Sequence, residues 1–381
     1  MAIKVLHVFT VPFSITYFVG KQFEYLQKKS GSQFFVACSD PMQLTAMENE
    51  YNFTAIPIDI SRNINPLKDL KAIYQLYRFI KKNEINTVVG HSPKGGMVAM
   101  ISAYLSGISN RIYFRHGIFY ETSKGIKQFI FKNVDRISGT LATKVVCVSN
   151  AVAERSVIDK LNKSSKNFLL GKGTCNGVDT LNRFNRKNYS LAQILNLRQK
   201  YSIKDNDRVV GFVGRLVHDK GIDELIQAWQ IIKQKNQNVK LILVGPLEER
   251  DSILEETKKT ILEDSTIIFT DYCKDAAPLY NLMDIFILPT YREGFPTVVL
   301  EASAMELPIV ITKATGCEEA IIENETGIFI ENNAESIAAG IQYYLDNTNM
   351  AKEHGTNGRI FVEKNFQQEK IWDIIHDTLK Y

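Results

Sequence analysis

Short apolar runs alternate with longer amphipathic stretches along the chain, and this alternation limits the possible folds more than any other feature. In the first half, strands are predicted at 3–9, 33–39, 55–60, 85–90, 111–115, 144–149 and 167–171. Helices are predicted between them at 66–82, 95–106 and 124–141. A rhythm of this kind favours a parallel sheet with helices on both faces.

The second half repeats the pattern. Strands are predicted at 208–213, 239–244, 266–269, 285–288, 308–312 and 326–330, and helices at 222–235, 252–263, 296–306 and 334–345. The polar stretch 182–207 is interpreted as a linker. We therefore expect an α/β chain with Rossmann-like domains at 1–185 and 186–365, followed by a helix at 366–381 that can cross back to the first domain. Doubly wound sheets bind ligands at the carboxyl ends of their strands, and in two domains these edges can face each other across a cleft.

Charge is distributed very unevenly along the chain. Residues 1–190 carry 26 Lys and Arg against 12 Asp and Glu, whereas residues 191–381 carry 20 against 30. The basic first half therefore favours an anionic partner. No aromatic and basic nucleic-acid module is recognisable, so a membrane surface or a lipid-linked phosphate is preferred to nucleic acid.

Composition favours a cytoplasmic protein. The apolar N-terminal stretch is interrupted by His7, Thr10 and Pro12, so it is interpreted as a first strand rather than a signal peptide. No apolar run approaches the roughly 18 residues that a membrane span requires. The five cysteines have no metal-ligand spacing and are interpreted as reduced, structural thiols.

The strongest local signal is YREGFPTVVLEASAMELPIV at 291–310. A strand is predicted to end near 289, and Pro296 is expected at the first helical position after a Gly-containing loop. Backbone N–H groups at such a helix start can bind a phosphate. Glu293 and Glu301 bracket the site and suit hydrogen bonds from sugar hydroxyls. Taken alone, the segment also fits a helix-capping acid and a surface glutamate.

A second segment, GFVGRLVHDKGIDELI at 211–226, reads as a strand, a Gly-bounded loop and a helix. The loop carries Arg215 and Lys220, which could close on a diphosphate. Two basic loop residues on their own are also compatible with solvated surface charges.

Together these two motifs resemble the retaining family 4 glycosyltransferases of the GT-B fold. Further matches occur in family order, namely RIYFRHG (111–117), VVCVSN (145–150), NGVD (176–179), LILVGP (241–246), MDIFILPTYREG (283–294) and NETGIFI (324–330). HSPKGG (91–96) and TGCEEAI (315–321) are similar to bacterial enzymes that build capsule, O-antigen or protein-linked glycans. The resemblance implies a GT-B architecture with an acceptor-side first domain and a nucleotide-sugar-binding second domain.

The resemblance also implies roles for individual residues. Arg215 and Lys220 would bind the donor diphosphate, Glu293 the donor sugar and Glu301 the ribose. His116 would lie beside the sugar, although a lone histidine at a strand end is often only structural. The catalytic set is then Glu293, His116, Arg215 and Lys220, and the donor-binding set is Arg215, Lys220, Glu293, Gly294, Phe295, Pro296, Thr297, Glu301 and, near the base, Tyr272.

Acceptor binding is predicted in the first half. His91, Lys94 and Arg115 are the candidates, with Lys94 and the following helix start holding an acceptor phosphate. An ordinary Gly-rich helix start is the equal alternative. Many relatives carry a Gly-Gly pair in the first strand–helix loop, where this chain has Thr-Val-Pro-Phe-Ser at 10–14. Donor contact at that loop is therefore not carried over, and acceptor contact fits it equally well.

The segment KGIKQFIFKNVDR at 124–136 interleaves basic and apolar residues. Such a helix is typical of membrane-surface binding, and a buried helix with a basic edge is the alternative. We expect a protein peripheral to the inner face of the cytoplasmic membrane.

The predicted activity is transfer of a hexose or N-acetylhexosamine, with retention, from a nucleotide-diphosphate sugar to a polyprenyl-diphosphate-linked saccharide. UDP is favoured by family habit, and no metal or other cofactor is expected because no convincing DxD-type triplet is present. A sugar-nucleotide epimerase and a non-catalytic nucleotide-sugar binder are the alternatives. No GxGxxG follows the first strand, which disfavours a dehydrogenase.

Overall fold

The structure, a computed structural model, describes residues 2–61, 65–249 and 251–380. By the density of contacts the chain divides into two units. The first consists of 1–177 and 368–381, and the second of 178–367. Each unit contains one parallel sheet with helices around it, as the alternation in the sequence predicts.

The first unit has seven strands among its described residues, in the order β3-β2-β1-β4-β5-β6-β7. The strands are β1 Lys4–Val8, β2 Gln33–Cys38, β3 Thr54–Pro57, β4 Thr87–His91, β5 Asn110–Arg115, β6 Lys144–Cys147 and β7 Asn167–Leu169. The helices are α1 Phe13–Phe18, α2 Gln22–Ser30, α3 Pro41–Tyr51, α4 Pro66–Asn83, α5 Pro93–Leu105, α6 Gly125–Leu141 and α7 Asn150–Ile158. The strand order reverses between β1 and β4, and this reversal is the point where doubly wound sheets place ligands.

The second unit has six strands among its described residues, in the order β10-β9-β8-β11-β12-β13. The strands are β8 Arg208–Val213, β9 Val239–Val244, β10 Ile267–Phe269, β11 Ile285–Leu288, β12 Ile309–Thr312 and β13 Gly327–Ile330. The helices are α8 Leu191–Lys200, α9 Ile222–Lys235, α10 Glu255–Glu263, α11 Thr297–Ala304, α12 Ala334–Asp346 and α13 Thr348–Asn365. Here the order reverses between β8 and β11.

The last helix, α14 (Gln368–Leu379), belongs to the first unit. It buries Ile371, Trp372, Ile375 and Leu379 on one face, as their helical spacing predicts. Several polar contacts also hold this helix in place, two of them through aromatic side chains. The Trp372 ring N–H donates to the Asn176 side-chain oxygen at 2.8 Å, and the Tyr25 hydroxyl donates to Asp373 at 2.6 Å.

The interpretation of 182–207 as a linker is wrong, because this stretch lies within the second unit. The stretch interpreted as a linker contains α8, which begins with a capping box in which Ser190 and Gln193 each bond the other's backbone N–H. The five cysteines form no disulfide, and all but Cys273 are buried. None of the helices in the described ranges is both long and apolar enough to cross a bilayer.

Candidate functional site

The point of strand reversal in the second unit brings the two strongest sequence motifs together. β8 and β11 are parallel neighbours, with Val210 opposite Ile285 and Gly211 opposite Phe286. The loop after β8 carries Arg215 and Lys220, and the loop after β11 carries Glu293. Because parallel strands end at the same edge, both loops leave the sheet side by side.

Lys220 and Glu293 form an ion pair between these two loops. Both side chains are largely shielded, with 17% and 14% of their surface exposed. A shielded pair of this kind interacts more strongly than an exposed one, because less water screens the charges. The loop holding Lys220 is therefore fixed relative to the loop holding Glu293, as the sequence hypothesis requires.

Backbone and side-chain hydrogen bonds centred on Asp219 fasten the same two loops. The Tyr291 N–H and the Thr290 hydroxyl both donate to the Asp219 carbonyl, at 3.0 and 3.1 Å. The Arg292 guanidinium pairs with the Asp219 carboxylate at 2.6 Å. The position of Glu293 is thus set by a network to which its own side chain contributes only one contact.

Glycine is required at two places where these loops approach one another. Gly221 has φ +67°, and a Cβ there would overlap the carbonyl group of Pro289. Gly316, with φ +81°, passes so close to the loop after β11 that a Cβ would lie 2.5 Å from the carbonyl oxygens of Glu293 and Gly294. Backbone atoms cannot yield as a side-chain end can, so both positions exclude larger residues without displacement of the loop.

Helix α11 begins one residue later than predicted, because Pro296 is its N-cap rather than its first helical residue. The Thr297 N–H, expected to be available for a phosphate, instead donates to the Phe295 carbonyl at 3.0 Å. Within the described ranges the N–H groups of Gly294, Phe295 and Val298 have no hydrogen-bond partner. These three donors can still bind an anion at the start of the helix.

Arg215, the second predicted cation, pairs with Glu248 at 2.9 Å, and its side chain is about half exposed. Glu248 lies on the loop after β9, which is joined to the loop after β8 by a hydrogen bond from the Leu216 N–H to the Pro246 carbonyl at 2.8 Å. Both predicted diphosphate-binding cations therefore have carboxylate partners in this structure. Sequence reasoning had missed Glu248.

Glu301 lies inside α11 and accepts a hydrogen bond from the buried Tyr280 hydroxyl at 2.8 Å. Burial raises the pKa of Glu301 to about 7, although the Tyr280 hydrogen bond and the positive charge of Arg183 act to lower it. Arg183 also pairs with Asp275 at 2.9 Å. Arg183 and Tyr280 were not found from the sequence, since Arg183 stands in the polar stretch interpreted as a linker.

Tyr272, the predicted neighbour of the base, follows β10 with 70% of its surface exposed. Its loop is joined to the loop after β9 by a hydrogen bond from the Gly245 N–H to the Asp271 carbonyl at 3.2 Å. The ring is therefore available for stacking at the same edge of the sheet.

Comparison with known proteins gives this arrangement its context. The model described as "Glycosyl transferases group 1" matches 193–361, and the model described as "Glycosyl transferase 4-like" matches 7–149. A Staphylococcus aureus protein, the capsular polysaccharide biosynthesis glycosyltransferase CapM, is 33% identical over 97% of this chain and 95% of its own length. The chain belongs to the GT-B glycosyltransferases of the family 4 type.

Two further similarities agree with this assignment. An Escherichia coli glycosyltransferase named UDP-Gal:alpha-D-GlcNAc-diphosphoundecaprenol alpha-1,3-galactosyltransferase is 26% identical over 72% of this chain and 70% of its own length. The crystal structure of Anabaena HepE in complex with UDP and glucose superposes with a TM-score of 0.81 at 19% identity, covering 99% of both chains. At that identity the second similarity shows the fold alone. The GT-B fold predicted from the sequence is confirmed.

In the first unit of the glycosyltransferase, the strand reversal between β1 and β4 carries histidines. His7 Nδ1 lies 3.0 Å from His91 Nε2, and His91 Nδ1 lies 2.9 Å from His116 Nε2. His116 follows β5 directly, is partly exposed and stacks on Phe18 with ring centroids 3.6 Å apart. Its position at the carboxyl edge of the sheet is the one the sequence predicts.

The three residues predicted to contact the acceptor of the glycosyltransferase are buried and have partners of their own in this structure. Lys94 is buried and forms an ion pair with Asp69 at 2.8 Å, so its charge is already neutralised. Arg115 is fully buried and pairs with Asp135 at 2.9 Å. His91 is 2% exposed and both of its ring nitrogens bond other histidines.

The glycines of HSPKGG have a packing function. A Cβ on Gly96 would overlap the ring of Tyr113 on β5, and one on Gly95 would lie 3.2 Å from the Val8 carbonyl. The motif therefore lets α5 approach the sheet closely, which is the ordinary helix-start alternative rather than a phosphate loop.

Helix α6 leaves apolar side chains on the surface of the glycosyltransferase. Ile126 is 79% and Phe129 70% exposed, and Ile130 is 40% exposed. Lys127 lies over the Phe131 ring on the same helix. Among the described residues no group of three or more His, Cys, Asp or Glu side chains is arranged to bind a metal ion.

Proposed function

We propose that this glycosyltransferase moves a hexose or N-acetylhexosamine, with retention, from a UDP-sugar to a polyprenyl-diphosphate-linked saccharide during surface polysaccharide assembly. The name of the Staphylococcus aureus relative supports the capsular role, and that of the Escherichia coli relative supports a UDP-sugar donor and an undecaprenyl-linked acceptor.

The contact between Lys220 and Glu293 is the observation that carries the proposal. An ammonium group and a carboxylate thus lie at one strand edge, beside the N–H groups of Gly294, Phe295 and Val298 for which the described residues provide no acceptor. A diphosphate next to a sugar needs this combination, because the phosphates require positive partners and the hydroxyls require an acceptor.

The proposed reaction is a displacement on one face of the sugar. The bond from the anomeric carbon to the diphosphate oxygen breaks, and the acceptor hydroxyl oxygen forms the new bond to that carbon from the same side. The acceptor's proton passes to the departing diphosphate oxygen. Arg215 and Lys220 stabilise the negative charge that grows on the diphosphate, which can contribute several kcal/mol to lowering the barrier.

Glu293 orients the sugar in this scheme and is not a nucleophile. Without substrate, the Glu293 carboxylate pairs with the ammonium of Lys220. When the phosphates of the donor attract Lys220, the Glu293 carboxylate can accept hydrogen bonds from sugar hydroxyls. His116 forms a hydrogen bond to a sugar hydroxyl through Nδ1, the ring nitrogen that has no partner in the described part of the chain. We also propose that Arg215 and Lys220 neutralise the diphosphate without a metal ion.

Membrane contact by α6 completes the proposal. The exposed Ile126 and Phe129 can enter the interface while neighbouring lysines meet anionic headgroups. A lipid-linked acceptor would then be reached at the inner face of the cytoplasmic membrane.

The decisive experiment is a donor screen with an undecaprenyl-diphosphate-linked saccharide, following release of nucleoside diphosphate. Glu293→Gln should lose most of the turnover, whereas Glu335→Gln, an exposed glutamate at the start of α12, should behave as wild type. Anomeric coupling in the product's NMR spectrum reports retention. Turnover that disappears with EDTA and returns with added metal would contradict the metal-free scheme.

The same screen separates the other functions. Epimerised nucleotide sugar formed without any acceptor would indicate an epimerase. Tight nucleotide-sugar binding with no turnover on any acceptor would indicate a binding protein.

A further inference from the structure

Three imidazoles form a continuous hydrogen-bonded row across the centre of the first sheet. His7 lies on β1, His91 ends β4 and His116 follows β5, and these strands are neighbours. His7 pairs in register with Val89, and His91 with Phe114. His91 is two residues beyond the partner of His7, and His116 is two residues beyond the partner of His91. Since alternate residues of a strand share a face, all three histidines lie on the same face of the sheet. The row therefore climbs diagonally from the sheet interior to its carboxyl edge.

Aromatic side chains enclose this row. Phe9 stacks on His91 with ring centroids 4.1 Å apart, and Phe23 meets the ring of His7 edge-on at 4.7 Å. His7 is only 1% exposed. Burial lowers the pKa of His7 and of His116 to about 3, and that of His91 well below its usual value. All three rings are therefore neutral at pH 7, and each carries one N–H and one acceptor nitrogen.

Neutrality restricts the hydrogen atoms to two arrangements. If His7 donates from Nδ1, then His91 accepts at Nε2, carries its hydrogen on Nδ1 and donates to His116, which must carry its own on Nδ1. If the direction is reversed, all three rings carry hydrogen on Nε2. Any mixed pattern would leave two donors or two acceptors facing each other at 3.0 or 2.9 Å.

The outer end of the row is His116 Nδ1, a buried atom that has no hydrogen-bond partner among the described residues, although the residue as a whole is partly exposed. In the first arrangement this atom is a donor, and in the second it is an acceptor. We propose that His7 and His91 are positioning residues that, through this row, determine whether His116 donates or accepts a hydrogen bond at Nδ1. The role in sugar transfer rests on the proposed function, whereas the coupling of the three tautomers does not.

The proposal explains why two histidines that substrate cannot reach would still affect transfer. His7 is separated from the edge of the sheet by His91, so we expect an effect of His7 on turnover to pass along the row, and a packing control tests this route. A sugar hydroxyl can accept a hydrogen bond from His116 Nδ1 or donate one to it. If the ring exists as a mixture of tautomers, Nδ1 is a donor for only part of the time and an acceptor for the rest. Uniform tautomers thus organise the site before the substrate binds.

The test begins with the protein alone. Nitrogen-15 NMR of histidine-labelled protein at pH 7 distinguishes Nδ1–H, Nε2–H and imidazolium rings, and single His→Gln variants of His218, His354 and His376 assign the other signals. We expect His7, His91 and His116 to share one tautomer. Mixed tautomers within the row, or a charged ring, would overturn the proposal.

Substitution of His7 then tests the coupling. His7→Phe keeps a ring but removes the bonding nitrogen, and we expect the His116 signals to move towards a mixture of tautomers. His7→Asn places an amide near the position of Nδ1 and should restore a single tautomer. Phe23→Leu is the matched control, since it alters packing against the same ring without removing a hydrogen bond. Unchanged His116 signals in folded His7→Phe, or an equal change in Phe23→Leu, would refute the coupling.

Kinetics form a separate measurement. With a working transferase assay, His7→Phe should lower kcat about tenfold, as expected for one lost hydrogen-bond constraint, while the donor KM stays within about twofold. His7→Asn should recover most of kcat. If no transfer is found with any donor, the proposed function fails. The NMR result still shows whether the tautomers of the three histidines are coupled. Transfer with normal kcat in His7→Phe would refute the positioning role alone.

Discussion

Glu301 should make binding of the nucleotide sugar depend on pH close to neutrality. Burial raises the pKa of this carboxyl to about 7. If Glu301 binds the ribose, as the family resemblance implies, its ionised form is the better acceptor for the ribose hydroxyls. With that pKa, the ionised fraction is about nine-tenths at pH 8 and about one-tenth at pH 6. If only the ionised form binds well, the dissociation constant rises about tenfold between pH 8 and pH 6, or about 1.4 kcal/mol.

Calorimetric titration with an intact nucleotide sugar is the appropriate assay. A free nucleoside diphosphate has a terminal phosphate that titrates near pH 6 itself, whereas the diphosphate diester of the sugar does not. Glu301→Gln should bind more weakly at pH 8 and show little further change at pH 6.

A second variant tests the assigned cause. Tyr280→Phe removes a hydrogen bond that lowers the Glu301 pKa, so the loss of affinity should begin at a higher pH than in the wild type. A wild-type dissociation constant that is flat from pH 6 to pH 8 would refute the reasoning. So would a Glu301→Gln variant that keeps the wild-type slope.

Three other perturbations address the surrounding structure. Asp135→Ala leaves the buried Arg115 charge unpaired, so urea unfolding should show a loss of about 3–5 kcal/mol; an unchanged midpoint would contradict this. Gly316→Ala should displace the loop of Glu293 and lower kcat/KM up to about a hundredfold with an unchanged circular dichroism spectrum, and normal kinetics would show that the loop can yield. Glu248→Gln frees Arg215 and should tighten donor binding up to about fivefold in calorimetry, since an exposed pair contributes about 0.2–1 kcal/mol; weaker binding would mean that Glu248 itself contacts the donor.

The sequence predicted the two sheets well because each strand is a short β-rich run bounded by turn residues. Some of the helices could not be predicted from the sequence as readily as the strands. Helix α13 contains Gly355 and Gly358, which weaken a helical pattern, and a Cβ at Gly355 would overlap the carbonyl of Glu306. Helix α8 was missed although its Ser-x-x-Gln start is a recognised capping signal, because the polar composition around it was given more weight.

The candidate site was predictable to the extent that it depends on loops next to strands. Lys220 and Glu293 lie in contact because adjacent parallel strands deliver their following loops to one edge, and this closeness could be predicted from the sequence. The partners of Lys94 and Arg115 could not be predicted, because the sequence shows a basic residue near the end of a strand but not the acid that neutralises it. Asp69 is 25 residues away from Lys94 in the chain, and no pattern connects the two.

The return of α14 to the first unit has a consequence for biosynthesis. The second unit is one continuous stretch, whereas the first consists of segments from both sides of it. During synthesis, the first unit lacks the helix that covers Asn176 and Tyr25 until the whole of 178–367 has been translated. The domain whose translation begins first is therefore also the one whose last segment is made last.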